Sequence, residues 1–420
     1  MEIGMSEPTF GITFTRRDDE PRPVIASDMS VIGIVGTAPD AVADDFPINE
    51  PVEVRTNNAD QLTALGATGT LPDALRGISD QLGDFQVAAR TVVVRVEEGV
   101  DDDATTTNLL GSEGGRTGIY ALLDAGPELG VIPRLITVPG FTHQHAPSEA
   151  NPIAAALPGL CSKLLAHAIV EAPGTTDQAA QDWRETMNSE RLIPVDLWSR
   201  VNVDGSTVTK PGAPRLAGIA ARRDYEKRGV PSHSWANQPI QGILGFARSV
   251  DFSLTDGATS GQVLLSNNIG IGARGELGVE SAISSSGFVF IGTDNASDDP
   301  IWQFYNVTRM RDYIHLGLLR TLRIYLGRYN INGQTIQAVV NTMNFWMRDL
   351  KSDQHIIDYR VGFEVDKNSP ENLRLGKFRV YFEAEEAPVL RRLDIDSMRY
   401  RPAFEFLLED LIARVNDMTL

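Results

Sequence analysis

The sequence is poor in the residues that build small chemical centres. Its 420 residues include one cysteine, Cys161, and six histidines, so neither an intramolecular disulfide nor a cysteine-based zinc site can hold the fold. Cation excess is missing too. Against 56 Asp plus Glu stand 38 Lys plus Arg, a net charge of −18, and that sign disfavours general binding to a phosphate backbone. No apolar run approaches the ~20 residues of a membrane helix, and Met1 to Phe10 lacks the basic-then-apolar layout of a signal peptide. Neither membrane insertion nor a secretory leader is expected. Solenoid-length repeats and long low-complexity tracts are absent as well.

Catalytic signatures are equally scarce. There is no GxSxG elbow, Walker loop, HExxH or CxxC. Gly270 to Gly275 reads GIGARG and matches the GxGxxG pattern of a dinucleotide site. The following Glu276 to Ser286 carries Gly278 and three consecutive serines, too broken for the crossover helix such a site needs, so a glycine-rich loop is expected. His143 and His145 lack a third ligand nearby and read as a loop. Cys161, among Leu160 to Leu165, reads as a small buried residue. Neither cofactor nor metal is expected, and no enzyme activity.

What is present is a chain with 42% hydrophobic and 22% charged residues, long enough for two or three domains. Phe10, Ile12 and Phe14 alternate with Gly11, Thr13 and Thr15, giving one apolar strand face before a charged, proline-bearing stretch from Arg16 to Pro23. That pattern fits either an extended arm over residues 1–24 or an ordinary first strand. From 25 to 248 short apolar runs (Val31 to Val35, Thr91 to Val96, Leu135 to Val138, Ala168 to Val170, Leu192 to Leu197) alternate with helical segments (Gly118 to Asp124, Ile153 to Ala166, Asp177 to Asn188, Ala213 to Tyr225). Such alternation predicts a mainly parallel α/β domain. Glu97 to Asp103 places five carboxylates in seven residues and reads as a solvated loop.

Between 249 and 388 the character changes to α+β. Phe304 to Leu326 and Gln334 to Lys351 have amphipathic helical spacing, and Ile357 to Val365 with Phe378 to Phe382 read as an antiparallel hairpin. Arg309, Arg320 and Arg323 fall on one side of the first helix at ~100° per residue; that row is a solvated face or a contact for an acidic partner. In 389–420 a second candidate arm, Leu393 and Ile395 alternating with Asp394 and Asp396, leads through Pro402 into a helix bearing Phe404, Leu407, Leu408, Leu411, Ile412 and Val415. Six apolar side chains at helical spacing need a surface to cover, and the chain's own domain is the expected one.

Several runs resemble the contractile tail sheath proteins of myophages, R-type pyocins and related extracellular injection systems. They are Val31 to Asp40, Thr117 to Ala125, Leu129 to Ile136 with Pro139 and Gly140, Arg215 to Arg222, Trp235 to Ile240 with Gly242 to Leu244, and Gly376 to Phe382 with the acidic run to Pro388. They follow in the family's order from about residue 31 to 400. The resemblance implies an outer α/β domain, an inner α+β domain facing an inner tail tube, and terminal arms that add strands to neighbouring copies. It implies hexameric rings stacked in a six-start helix, with baseplate and tail terminator proteins as further partners, in a virion tail or injection particle assembled in the bacterial cytoplasm. Contraction from a metastable extended state would drive the tube through an envelope. On that basis Phe10, Ile12, Phe14, Leu393 and Ile395 are expected to make the strands between subunits, and Arg309, Arg320, Arg323, Arg348 and Lys351 to be candidates for touching the tube. A non-contractile shell or tube subunit and a nucleotide-binding enzyme using Gly270 to Gly275 remain alternatives.

Overall fold

Five short, β-branched runs become neighbouring parallel strands because both of their faces are apolar. In the computed structural model, which describes residues 29–82, 87–144, 146, 149–275 and 287–417, β1 (Ile32–Thr37) lies between β3 (Arg90–Val96) and β4 (Leu135–Thr137), followed by β5 (His167–Glu171) and β6 (Leu192–Asp196). Every residue of β1 and β5 is buried, as sheets covered on both sides require. β2 (Pro51–Arg55) closes one edge antiparallel to β3. Beyond β6 the sheet continues through β11 (Gly270–Arg274), parallel to it, then β12 (Phe288–Ile291) and β9 (Gln238–Ile240), each antiparallel to its neighbour. The nine-stranded sheet therefore crosses the sequence boundary expected at residue 248.

Two helical layers cover it. Ile32, Ile34, Val93, Leu135 and Ile169 face α1 (Ala59–Leu65), α2 (Leu71–Asp80) and α7 (Ala213–Glu226). Val35, Val94, Ile136 and Val170, on the opposite side of the same strands, face α3 (Asp102–Leu110), a 3-10 turn at Gly118–Asp124, α4 (Ala125–Leu129), α5 (Pro152–Leu164), α6 (Asp177–Glu185) and α8 (Ser260–Ser266). Cys161, on α5, is fully buried and its thiol is pushed up to about 12 by burial, so the expectation of an inert core residue holds. α3 corrects another expectation: half of the acidic run is a helix start. The Asp101 carboxylate accepts from the Ala104 N–H at 2.8 Å, and Asp102 and Asp103 occupy the first turn, where negative charge opposes the positive end of the helix dipole.

Outside the main sheet, β7 (Trp198–Val203) and β8 (Ser206–Pro211) form a hairpin through Asp204-Gly205, both with positive φ, the turn chemistry that matches strand twist. The short β10 (Gly245–Phe246) pairs with β7. A third layer consists of α9 (Tyr305–Leu322), α10 (Gly333–Ser352) and a two-stranded sheet of β13 (Ile356–Gly362) and β14 (Tyr381–Glu386), with α11 (Pro370–Arg374) in the intervening loop. Met310, Ile314, Leu318, Met343, Met347, Leu350 and Ile356 form its core. The chain up to Val389 is one compact unit, and Leu390 onward, including α12 (Pro402–Asp417), is a second. The expected first arm strand, Phe10, Ile12 and Phe14, lies outside the described residues.

Candidate assembly interface

α9 is tied to the rest of its unit by charges and rings. Arg309 forks onto Asp224 at 3.1 and 2.6 Å, donates to the Met29 carbonyl at 3.2 Å, and lies 5.1 Å from the centre of the Trp235 ring. The Tyr305 hydroxyl donates to the Gly292 carbonyl at 2.9 Å and accepts from the Trp235 N–H at 2.9 Å, its ring stacked on Trp235 at 4.4 Å. Arg191 pairs with both oxygens of Asp312. Arg311 pairs with Glu386 at 2.5 and 2.9 Å and donates to the Ala384 carbonyl at 2.8 Å. His167 Nε2 lies 3.1 Å from the Thr308 hydroxyl, and burial together with Arg191 and Arg309 holds the imidazole well below its ordinary pKa, hence neutral. Bidentate guanidinium–carboxylate pairs fix direction as well as distance, so α9 is seated in one orientation between the β-sheet body and β14.

This seating overturns one candidate. Arg309 is 0% exposed and does not share a solvent face with Arg320 and Arg323. Periodicity places the three on one side, but every residue of α9 through Leu318 is buried or half-buried, and exposure begins at Leu319. Between Arg309 and Arg320, which share an angle around the axis, position along it decides exposure. Arg320 and Arg323 are exposed. So are Arg348, whose guanidinium lies 4.6 Å from the Phe345 ring centre and 3.4 Å from Asp349, and Lys351, 2.6 Å from Asp358.

The hairpin also differs in register from the sequence expectation. Its second strand runs 381–386 rather than 378–382. Asn368 accounts for the shift: its side chain donates to the Arg379 carbonyl and accepts from the Arg379 N–H, both at 2.8 Å, holding residue 379 in the loop. Tyr359, Val361, Phe382 and Ala384 pack towards the third core, whereas Arg360 opposite Glu383 and Asp358 opposite Glu385 carry the other face. Among the described residues this sheet has two strands only.

The second unit is bare. Leu393 and Ile395 are 70% and 78% exposed in a stretch with no helix or turn and no ladder partner among the described residues. In α12 the apolar side chains expected to be covered are instead between 47% and 62% exposed.

Comparison with known proteins gives these features their context. Residues 297–396, from before α9 to the stretch holding Leu393 and Ile395, match the phage tail sheath C-terminal domain. The tail sheath protein of Escherichia phage P2 is 28% identical over 424 aligned residues, covering 98% of this chain and all of that protein. A putative prophage major tail sheath protein of Pseudomonas aeruginosa (strain UCBPP-PA14) is 30% identical over 373 residues, 87% of this chain and 90% of that one. The chain belongs to the tail sheath family. Its fold is that of solved sheath structures: the sheath complex of the extracellular contractile injection system PVC in its contracted state has a TM-score of 0.68 at 14% identity, covering 95% of this chain and all of that one. The contracted helical sheath of the anti-feeding prophage scores 0.63 at 16% identity, covering 94% and 99%.

Tail sheath proteins are structural, and this chain is no enzyme. The expected glycine-rich loop is a correction of a different kind, because Gly270 to Arg274 form strand β11. A Cβ on Gly272 would stand 2.4 Å from the Phe246 ring, and one on Gly270 2.7 Å from Phe290; the glycines admit rings, not phosphates. β12 pairs antiparallel with β11, whereas a dinucleotide-binding βαβ unit needs a parallel pair. At the carboxyl end of β5, where α/β enzymes commonly place a reactive group, Glu171 is consumed by structure. Its carboxylate accepts from the Gly140 and Ala213 N–H groups at 2.8 and 2.7 Å, and burial still pushes it up to about 7. The His143 ring sits edge-on to Trp198 at 5.2 Å, and His145 lies outside the described residues. No cluster of three or more potential metal ligands occurs among those residues.

Sequence reasoning missed Asp224, Arg191, Asp312, Arg311 and Glu386, the charges that seat α9. A signal was available: Arg309 and Asp312 flank Met310 and Tyr313 in a helix whose apolar stripe leaves them little room to reach water.

Proposed function

We propose that this chain is the subunit of a contractile tail sheath, in a virion tail or an injection particle. It polymerises as stacked hexameric rings in a six-start helix around an inner tube, held by baseplate and terminator proteins at the ends, and contracts from a metastable extended state. The observation that carries this reading is that one chain holds both a two-stranded sheet and an exposed apolar segment, Leu393 and Ile395, outside any helix or ladder among the described residues. A two-stranded sheet is marginal alone, and strand addition by Leu393 and Ile395 of one neighbour and Phe10, Ile12 and Phe14 of another would complete it through main-chain hydrogen bonds. Such bonds hold while the globular bodies rotate, so the difference between two packings, summed over many copies, supplies the work. A six-fold symmetrised anti-feeding prophage baseplate, similar in fold at a TM-score of 0.62, supports the hexameric reading.

The α/β body with its acidic helix start forms the outer domain and the third layer the inner one. The exposed end of α9, with Arg320 and Arg323, and the α10 cations Arg348 and Lys351 face the tube. Exposed ion pairs contribute roughly 0–1 kcal/mol each, which suits a surface that must release. Electron microscopy of the purified protein tests the whole: hollow striated cylinders are expected, and deletion of residues 1–24 should leave a folded protein that no longer forms them. Cylinders formed by the truncated chain would count against strand addition at that end.

A further inference from the structure

α12 carries more than an arm needs. Leu407, Leu411, Phe404, Val415, Leu408 and Ile412 lie on one face, spanning roughly 140° at ~100° per residue, and all are exposed. Some of the helix's charges are paired locally: Arg401, just before it, lies 3.9 Å from Glu405, and Arg414 2.9 Å from Asp410. A helix of this length is marginal in water unless its apolar face is covered. Position along the chain says by what. Ile395 and Pro402 are separated by at most roughly 25 Å of extended chain at ~3.3–3.6 Å per residue, so a strand laid at residue 395 on a neighbour's hairpin brings the helix to that same neighbour. There exposed apolar side chains stand at the two ends of β13, within roughly 20–26 Å at ~3.3 Å per residue, a span comparable to the helix's own length: Ile357 at the bulge, and Phe363 and Val365 past the last residue of the strand, are 56%, 50% and 76% exposed.

We propose that α12 docks through this face on a second copy of the chain, at Ile357, Phe363 and Val365, as an apolar clasp behind the added strand. The proposal rests on the sheath reading and extends it, making the contact between copies a strand followed by a helix. An apolar clasp resists salt, whereas the exposed ion pairs of the same layer do not.

The full-length chain carrying Leu408→Glu with Leu411→Glu tests it. Both positions are exposed, so circular dichroism and monomer solubility should be unchanged, while the concentration needed for half-assembly, read by sedimentation, should rise at least about ten-fold. Assembly at the unmodified chain's concentration would overturn the proposal. Ile395→Pro, which blocks the strand and spares the helix face, separates the two claims. If only the helix-face variant fails to assemble, docking stands and strand addition falls; if only Ile395→Pro fails, the reverse holds. Mixing Ile412→Cys protein with Ile357→Cys protein under mild oxidation should cross-link different copies, Cys161 being buried. A disulfide that forms only within a chain carrying both substitutions would place the helix on its own copy and sink the idea.

Discussion

The unit up to Val389 and the unit from Leu390 use the same apolar residue types and treat them oppositely. In the first, Ile32, Ile34, Val93 and Ile169 vanish between strands and helices, and even Arg309 and Asp224 are enclosed. In the second, Leu390, Leu393, Ile395 and the leucines of α12 are about half exposed or more. Apolar area lowers free energy only when something removes it from water, so the first unit gains most of its stability within the chain, whereas the second leaves its apolar side chains open to the assembly proposed above. Stability and polymerisation should accordingly respond to different substitutions.

The sharpest way to break that division is Arg309→Ala. It leaves Asp224 buried without its cation, and removing one partner of a buried pair typically costs about 3–5 kcal/mol. Denaturant unfolding should show a loss of that size; less than about 1 kcal/mol would mean that the pair does not seat α9. Next comes pH. The Glu171 carboxyl stands at about 7 in the fold against an ordinary 4.5, so between those values the native state holds a proton that the unfolded chain has released. Stability should therefore rise as pH falls from 7 towards 4.5, by up to about 3 kcal/mol from this group. Glu171→Gln should flatten that part of the profile, and an unchanged slope would remove the claim.

Gly272→Ala tests the ring-against-glycine packing of β11. The new methyl meets Phe246, and overpacking of this kind costs roughly 1–3 kcal/mol; a variant as stable as the parent would show that the ring moves freely. The smallest effect is expected from Arg320→Ala with Arg323→Ala. Exposed positions change stability by less than about 0.5 kcal/mol, while co-sedimentation with the proposed tube partner should weaken and become less sensitive to salt. A drop in thermal stability would place these arginines in the fold's own framework instead.

Much of the framework was legible. The runs at 31–35, 91–96, 135–138, 168–170 and 192–197 became β1, β3, β4, β5 and β6, because uninterrupted β-branched runs bounded by turns have few other ways to bury both faces. α5, α6, α7, α9 and α10 followed from periodicity in the same way. The β7–β8 hairpin was missed although Asp204-Gly205 marks it, since its polar strands, with Thr207, Thr209 and Lys210, lack an alternating apolar face. Carboxylates concealed the start of α3, and the side chain of Asn368 displaced the hairpin strand, a long-range effect that no local pattern carries.

For the interface, the sequence by itself determined which residues are apolar, which are charged and with what spacing, and that was enough to mark Leu393, Ile395 and the face of α12 as surfaces in need of a partner. Only the tertiary structure decided which of them have one within the chain. Arg309 and Arg320 have the same chemistry and neighbouring angles on one helix, yet one is sealed against Asp224 and Trp235 and the other stands in water. Spacing fixes the angle around an axis, whereas burial depends on how far along that axis other elements reach.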